Sequence, residues 1–552
     1  MDLQKNDKIE VTIESLGYKG EGVARIDRVP VFINGALPGE RVRAHIILVK
    51  SSYAVAKLLE VLSPSDKRVQ PECKYFGKCG GCNVQHMERE AQLEFKKGLV
   101  EDALHKIARM EAEVQPTQAS EKQYGYRNKL SLPVRKSREG TAVGLFAYNS
   151  HRVVEIDDCP LQSEGVRGLI PKLHKLSKYF PPYDEESGKG VLRHFVARDL
   201  GGKLSLTVVA TRDVSEKLKS IASEIGLGVD ELWLNINRQK NNVIMGDETI
   251  LIDGVQVEVD VLGLTTTVHP KGFMQVNDGV MKKLYTAVLD KAKELAPDLI
   301  IDAYSGGGTL TALLSRVGKK VIGVEIEQAA VDSANALMHK QGIMNVTNYC
   351  ADCAQLLPIL LGSNNSELVD GSQEESHFGK EYRPPEQEYR HPEQEYRPPE
   401  QEYRHPEQEY RPPEQEYRPP EQEYRHPEFV EGSQSQEILR LRSRYAQYDD
   451  GLDAGKSSLS AKGVAQGANE RTSRTLIVLD PPRSGCDKSV IEAVNACGAE
   501  NIIYVSCNPS TLARDLTLLT SYAPVSITPF DMFPQCAHVE TIVCLEKSKQ
   551  ES

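Results

Sequence analysis

Reactive side chains recur in this sequence where apolar runs stop. In NIIYVSCNPSTLARDL, Cys507 directly follows an apolar run, and Asn508-Pro509 then turns into a helical stretch. A thiol at such a strand end can point into a cleft, and a nearby helix N-terminus favours its thiolate. Cys486, Cys497, Cys536 and Cys544 lack this placement. A solitary cysteine is ordinarily a small buried apolar residue. The position of Cys507, two strands beyond a glycine-rich turn, points instead to a nucleophile.

That turn lies in LIIDAYSGGGTLTALLSRVGKKVIGVEIE, which begins at Leu299. A predicted strand ends in Asp302, glycines follow, a helix starts near Thr309, and a second strand, Lys320–Val324, leads to Glu325. In a doubly wound sheet, ligands bind beyond the carboxyl ends of the strands, and glycines let the backbone approach them. An acidic residue after the second strand is placed to accept both hydroxyls of a ribose. Gly306-Gly307-Gly308 is contiguous, unlike the spaced glycines of the dinucleotide fingerprint. The layout therefore favours S-adenosylmethionine over NAD. A third strand leads to Asp352, a position suited to the adenine edge.

Two more segments supply carboxylates. LIVLDPPRSG ends an apolar strand in Asp480, and its two prolines stiffen a turn able to grip a flat polar heterocycle. FDMFPQCAHVETIVCLE places His538 and Glu540 just before the apolar run Thr541–Leu545. A carboxylate there could act as a general base, although its residue type alone favours a surface position. Finally, Cys73, Cys79 and Cys82 form C-x5-C-x2-C, and Cys159 follows in DDCPLQ. Four thiolates can hold either a [4Fe–4S] cluster or a tetrahedral zinc ion.

The elements that must position these groups fall into four tracts. Residues 1–62 alternate apolar and polar at Lys8–Ile13, Val29–Ile33, Arg41–Ile47 and Ala54–Val61, between Gly- and Pro-bearing turns. That spacing suits a small five-stranded barrel of the oligonucleotide-binding (OB) kind. Residues 63–270 carry the cysteines, a helical stretch from Glu88 to Met110 and several strands, an α+β pattern. Residues 271–360 and 475–548 alternate strand and helix, which predicts a parallel α/β sheet with helices on both faces. Between them, residues 361–474 hold EYRPPEQ and EYRHPEQ heptads and then a Ser/Gly/Lys-rich stretch. A proline in every heptad excludes a regular helix or central strand, and the few apolar residues predict disorder. Loop-closure entropy grows slowly enough for the flanking strands to tolerate such an insertion.

The formal charge of −12 argues against a nucleic-acid partner only superficially. The seven heptads contribute −7, leaving −5 for the rest, whose basic residues can still cluster on one face. No stretch approaches the roughly 20 apolar residues of a membrane span, and MDLQKNDKIEV lacks the apolar core of a secretory signal. With clustered cysteines and no such signal, the expected setting is the cytoplasm, with thiols reduced.

Taken in order, YGYRNK (Tyr124–Lys129), GFMQVN (Gly272–Asn277), DAYSGGGT, LDPPRSG, VSCNPSTLARD and FDMFPQCAHVE resemble blocks of the RNA uracil-5 methyltransferase family. The segment GYKGEGVAR followed by VFINGALPGERV resembles the TRAM domain, an RNA-binding module. The resemblance implies a Rossmann-like class I methyltransferase domain, an N-terminal OB-like TRAM barrel and a cysteine-bearing α+β middle domain. It implies that Gln275, Tyr304, Thr309, Glu325 and Asp352 contact S-adenosylmethionine, with Asp480 at the cofactor–uracil junction. It further implies Cys507 as nucleophile, Glu540 as base, and a [4Fe–4S] cluster at Cys73, Cys79, Cys82 and Cys159. The expected partner is RNA, 23S ribosomal RNA ahead of the transfer-RNA T-loop, and the expected state is a monomer. A non-catalytic RNA-binding or assembly factor is the main alternative, and a protein or small-molecule methyltransferase a third.

Overall fold

Side-chain alternation shapes the first of three large sheets in the computed structural model, which describes residues 3–137, 140–361 and 474–548. In the strand Arg41–Val49 the buried positions are Val42, Ala44 and Ile46, so one face meets a core and the other meets water. Six segments pair in the order Lys8–Thr12, Arg41–Val49, Ala54–Ser63, Val29–Asn34, Gly22–Ile26 and Ser15–Leu16. The two outermost segments are successive pieces of one chain, joined through Ile13 and Glu14, and the Glu14 N–H donates to the Val23 carbonyl. The sheet thus curls round Ile13, Val31, Ile33, Ala44 and Ile46, although its ladder does not run unbroken round the ring. Gly22–Ile26, a strand of its own here, was not legible in the alternation. The expected insertion, 361–474, falls almost wholly outside the described residues.

A second sheet of seven strands occupies the middle of the chain, with Leu192–Leu200 between Lys203–Ala210 and Lys129–Ser137. Helices Glu164–Ser177 and Ser215–Glu224 cover it with Leu169, Leu173, Leu218 and Ile221. The predicted helix from Glu88 to Met110 forms as Arg89–Ala103 and continues as a wide turn, Leu104–Ala108, that ends at left-handed Arg109.

The third sheet runs Val346–Cys350, Lys320–Glu325, Leu299–Ala303, Thr475–Leu479, Asn501–Ser506, Glu540–Lys547, Tyr522–Phe530. Among these, Glu540–Lys547 alone runs opposite to the other six. Every residue of Leu299–Ala303 and Thr475–Leu479 is buried, as expected for strands covered on both faces. Period two sorts them. Leu299, Ile301, Ile477 and Leu479 pack with Val490 and Val494, whereas Ile300, Leu476 and Val478 pack with Val280, Leu284 and Val288 of the helix Asp278–Leu295. The hairpin Glu258–Val261/Leu264–Thr267 contributes Val259, Val261 and Leu264 to the second core. Val100 and Leu104, just upstream of the middle sheet, join the first. Among the described residues no helix is long and apolar enough to cross a membrane.

Candidate active site

Strand register brings the reactive groups to one edge of the third sheet. Leu479 lies opposite Ala303 on one side and Tyr504 on the other, so Tyr304, Asp480 and Cys507 all follow the carboxyl ends of adjacent strands. The antiparallel strand begins where these end: Thr541 pairs with Ser506, and Glu540 with Phe530. One reversed strand therefore delivers the N-terminal residue Glu540 to the edge where Cys507 leaves the sheet.

The electrostatics differ from what residue type suggested. Glu540 is only 4% exposed. Burial, reinforced by Asp480 and opposed by Arg483, pushes its carboxyl up to about 8. Burial likewise raises Asp480 to about 7. Cys507 is half-buried. Burial first, then Glu540 and Asp480, raise its thiol to about 11 against the pull of Arg483. Desolvation and the neighbouring acids thus favour the thiol, opposing the ionisation that a helix N-terminus favours. Arg483, which sequence reasoning passed over inside LDPPRSG, is a cation that opposes both shifts, at Glu540 and at Cys507.

Other residues missed in the sequence hold the two loops. Buried Asp515 accepts from the Tyr504 hydroxyl at 2.6 Å and from Cys486 N–H at 2.8 Å. Arg514, paired with it, donates to the carbonyls of Ser484 and Cys486. The Pro-Pro-Arg turn is thereby fastened to the helix Pro509–Leu518 that follows Cys507. Lys96, wholly buried on the helix Arg89–Ala103, pairs with Asp531 and donates to the Phe533 carbonyl at 2.9 Å. One turn earlier, Gln92 exchanges hydrogen bonds with Gln535, at 3.0 Å to its side chain and 2.9 Å from its N–H. No local pattern links these helix positions to the segment before Glu540.

On the cofactor side, Tyr304 takes a left-handed φ of 65°, unusual for a bulky residue and frequent at functional turns. Gly308 opens the helix Thr309–Leu314 at φ 77°, and a Cβ there would sit 2.6 Å from that of Ala334. The Glu325 carboxylate takes the Gly306 N–H at 3.0 Å and those of Ile326 and Glu327 at 2.9 Å, so it faces the glycine turn. Asp302, buried and raised to about 7 chiefly by desolvation, accepts from the Thr311 hydroxyl at 2.6 Å. Thr309 is half-buried at the helix start. Asp352 is exposed and caps its own helix, accepting from Ala354 N–H at 2.8 Å. Gln275 is buried, and its carbonyl accepts from Asn128 Nδ2 at 2.9 Å, joining the GFMQVN and YGYRNK blocks.

Cys73, Cys79, Cys82 and Cys159 open onto one cavity of about 450 Å³. Its wall also includes Arg483 and His538, which places it beside the Pro-Pro-Arg turn and the segment before Glu540. All four thiols are free. Burial lifts Cys159 to about 11 and raises Cys79 as well. Among the described residues no three His, Cys, Asp or Glu side chains stand in an arrangement able to hold a metal ion. A fifth thiol, Cys536, joins the group through a hydrogen bond with Cys82, and donates to the Gly81 carbonyl at 3.0 Å. Its distance along the chain hid it.

A seven-stranded doubly wound sheet with one reversed strand next to its edge and an acidic residue after its second strand is the architecture of an α/β methyltransferase. The model of the tRNA (uracil-5-)-methyltransferase family matches residues 88–351 and 469–548, and that of the TRAM domain matches residues 2–59. The chain belongs to the tRNA (uracil-5-)-methyltransferase family, and as a member it is an RNA methyltransferase. An uncharacterized RNA methyltransferase of Clostridium acetobutylicum is 30% identical over 99% of this chain and 98% of its own length. One from Clostridium tetani is 30% identical over 98% of this chain and 97% of its own. Pyrococcus abyssi tRNA (uracil-54, C5)-methyltransferase, solved with S-adenosyl-L-homocysteine, shares the fold at a TM-score of 0.61 and 20% identity. That match covers 97% of this chain and all of the other.

Proposed function

We propose that the chain methylates carbon 5 of a uridine in RNA, with S-adenosylmethionine as donor, Cys507 as nucleophile and Glu540 as base. The observation that carries this reading is the convergence of Cys507 and a buried, proton-holding Glu540 at the sheet edge, beyond the same strand ends as Tyr304 and Glu325. Uracil C5 is a weak nucleophile. After the Cys507 thiol gives its proton to water, attack of the resulting thiolate on C6 pushes the ring electrons toward O4 and leaves an enolate with density on C5. The bound donor supplies an electrophilic methyl group. Once C5 carries it, ionised Glu540 takes the C5 proton, and the enolate this re-forms collapses, breaking the C6–S bond and returning Cys507 as thiolate. Arg483, the cation that draws the thiol toward ionisation, favours the first step. Both faces of the base must be reached, so the uridine is unpaired or flipped. Gln275, Tyr304, Thr309, Glu325 and Asp352 line the donor side in this reading, with Asp480 at the junction.

Although their side chains do not stand as a metal site in this structure, Cys73, Cys79, Cys82 and Cys159 would be the ligands of a [4Fe–4S] cluster in this reading, because all four thiols reach one cavity and soft thiolates suit iron. The cluster would supply four sulfur–iron bonds tying the 73–82 loop to Cys159.

For the RNA, 23S ribosomal RNA is the reading favoured by the N-terminal sheet together with the cysteines. The transfer-RNA T-loop is the second, favoured by the fold likeness to a tRNA uracil-54 enzyme. Incubating the full chain with methyl-tritiated donor and each RNA tests the reaction. Label in uracil C5 is expected, and its absence from both RNAs sinks the proposal. Mapping 5-methyluridine in both RNAs from a strain lacking the protein tells the substrates apart.

A further inference from the structure

One turn of the N-terminal sheet reaches both catalytic loops. The Tyr18 hydroxyl donates to Asn508 Oδ1 at 3.0 Å, although 490 positions separate them. Asn508 directly follows Cys507. Its Oδ1 also takes the Ser510 N–H at 3.1 Å, capping the helix Pro509–Leu518, and its Nδ2 donates to the Arg483 carbonyl at 3.2 Å. Asn508 is therefore the knot that joins the nucleophile's helix, the Pro-Pro-Arg turn and the N-terminal sheet.

The next residue of the same turn addresses the other loop. The Lys19 carbonyl accepts from Asn83 Nδ2 at 2.7 Å, and Asn83 Oδ1 accepts from Ala537 N–H at 2.8 Å, just upstream of Glu540. The N–H groups of Asn83 and Val84 both donate to the Gln535 carbonyl at 3.2 Å. Gly20 seats the turn: its φ is 81°, and a Cβ there would lie 2.5 Å from a Val84 methyl. With its hydroxyl held, Tyr18 is still 46% exposed as a residue. A rigid, open aromatic face beside a reactive strand end is a ready stacking surface for an unpaired base.

We infer that Tyr18 is a positioning residue of the catalytic pocket, holding Asn508 beside Cys507 and stacking the nucleotide that flanks the attacked uridine. This rests on the methyltransferase reading above and adds to it that the N-terminal sheet is part of the pocket wall. Burial raises the Tyr18 phenol above its ordinary value, so it remains a donor throughout the neutral range.

The test uses the full chain with 23S ribosomal RNA and transfer-RNA transcripts made with 5-fluorouridine, whose C5 carries no removable proton and so stalls the C6–S adduct. Tyr18→Phe keeps the ring and loses the hydroxyl. It should slow single-turnover adduct formation at saturating RNA by about 2- to 13-fold, the worth of one neutral hydrogen bond, with the half-saturating RNA concentration unchanged. Tyr18→Ala should also weaken RNA binding by about 5- to 150-fold, the range for losing one base–aromatic stack. Tyr18→Trp should restore binding and leave the rate low. Filter binding of RNA and the pH profile of Cys507 alkylation by iodoacetamide, mapped by mass spectrometry, do not depend on methyl transfer. In Tyr18→Ala that profile should move to lower pH as the thiol gains water. Wild-type RNA binding and a wild-type alkylation profile in Tyr18→Ala would overturn the inference. A wild-type protein that forms no adduct would instead count against the methyltransferase reading, and the binding and alkylation results would still decide the role of Tyr18.

Discussion

Replacing Glu540 by glutamine should make the protein more stable and leave it stalled. The carboxyl is 4% exposed and is raised from an ordinary 4.5 to about 8. A buried acid whose folded value is raised contributes stability fully only below the unfolded value, and that contribution is lost as pH climbs from 4.5 through 8. At about 1.4 kcal/mol per unit, ionising Glu540 in place costs on the order of 5 kcal/mol above pH 8 and roughly 3 kcal/mol at pH 7. Glu540→Gln removes this term, so its advantage in urea denaturation should grow over the same pH range and vanish near pH 4. Catalysis should move the opposite way. With a value near 8, about one-tenth of the wild-type carboxyl is ionised at pH 7 and half at pH 8, so C5 proton removal should quicken about fivefold across that unit. The assay is tritium release from RNA labelled at uracil C5. In Glu540→Gln it should fall by about 10²- to 10⁴-fold, while a denaturant-resistant protein–RNA adduct accumulates. Wild-type tritium release from Glu540→Gln would refute the assignment of the base, and stability that ignores pH between 4.5 and 8 would refute the burial argument.

Cys507→Ala should form no covalent adduct with RNA on denaturing gels; adducts persisting in it would reject Cys507 as nucleophile. Lys96→Met strands the buried Asp531 carboxylate and should cost about 3–5 kcal/mol in urea denaturation, with Asp531→Asn in the same chain recovering part of the loss. Glu325→Ala should raise the dissociation constant for S-adenosylmethionine by about 10- to 100-fold in calorimetric titration, the scale of losing hydrogen bonds to a charged acceptor. Anaerobically purified protein should be brown and carry four irons per chain, and Cys159→Ser should lower the iron content. Colourless protein holding stoichiometric zinc would replace the cluster assignment.

Local periodicity carried much of this fold. Arg41–Ile47 and Lys320–Val324 form strands where they were read, each running one or two residues further, and Thr309 opens a helix as its glycine turn implied. Such elements are legible because burial on one face or on both writes itself into neighbouring residues. Cys507 was legible for a related reason, since a strand end followed by Asn-Pro is a local signal. Glu540 was only half legible: the start of its strand could be read, but its burial depends on the packing of the 531–539 segment. Its proton affinity, like that of Cys507, follows from desolvation by groups distant in sequence, which no window of residues contains.

What tertiary structure alone decided is the set of long-range fastenings. Lys96 with Asp531, Cys82 with Cys536, and Tyr18 with Asn508 join positions hundreds of residues apart. Each residue looks ordinary in its own segment: a lysine on a helix, a cysteine after a loop, a tyrosine in a turn. By itself the sequence determined which elements form and where a thiol leaves a strand. Docking of those elements determined which acid that thiol meets, which cation attends it and which turn closes over it, because such contacts depend on packing between surfaces that are remote along the chain.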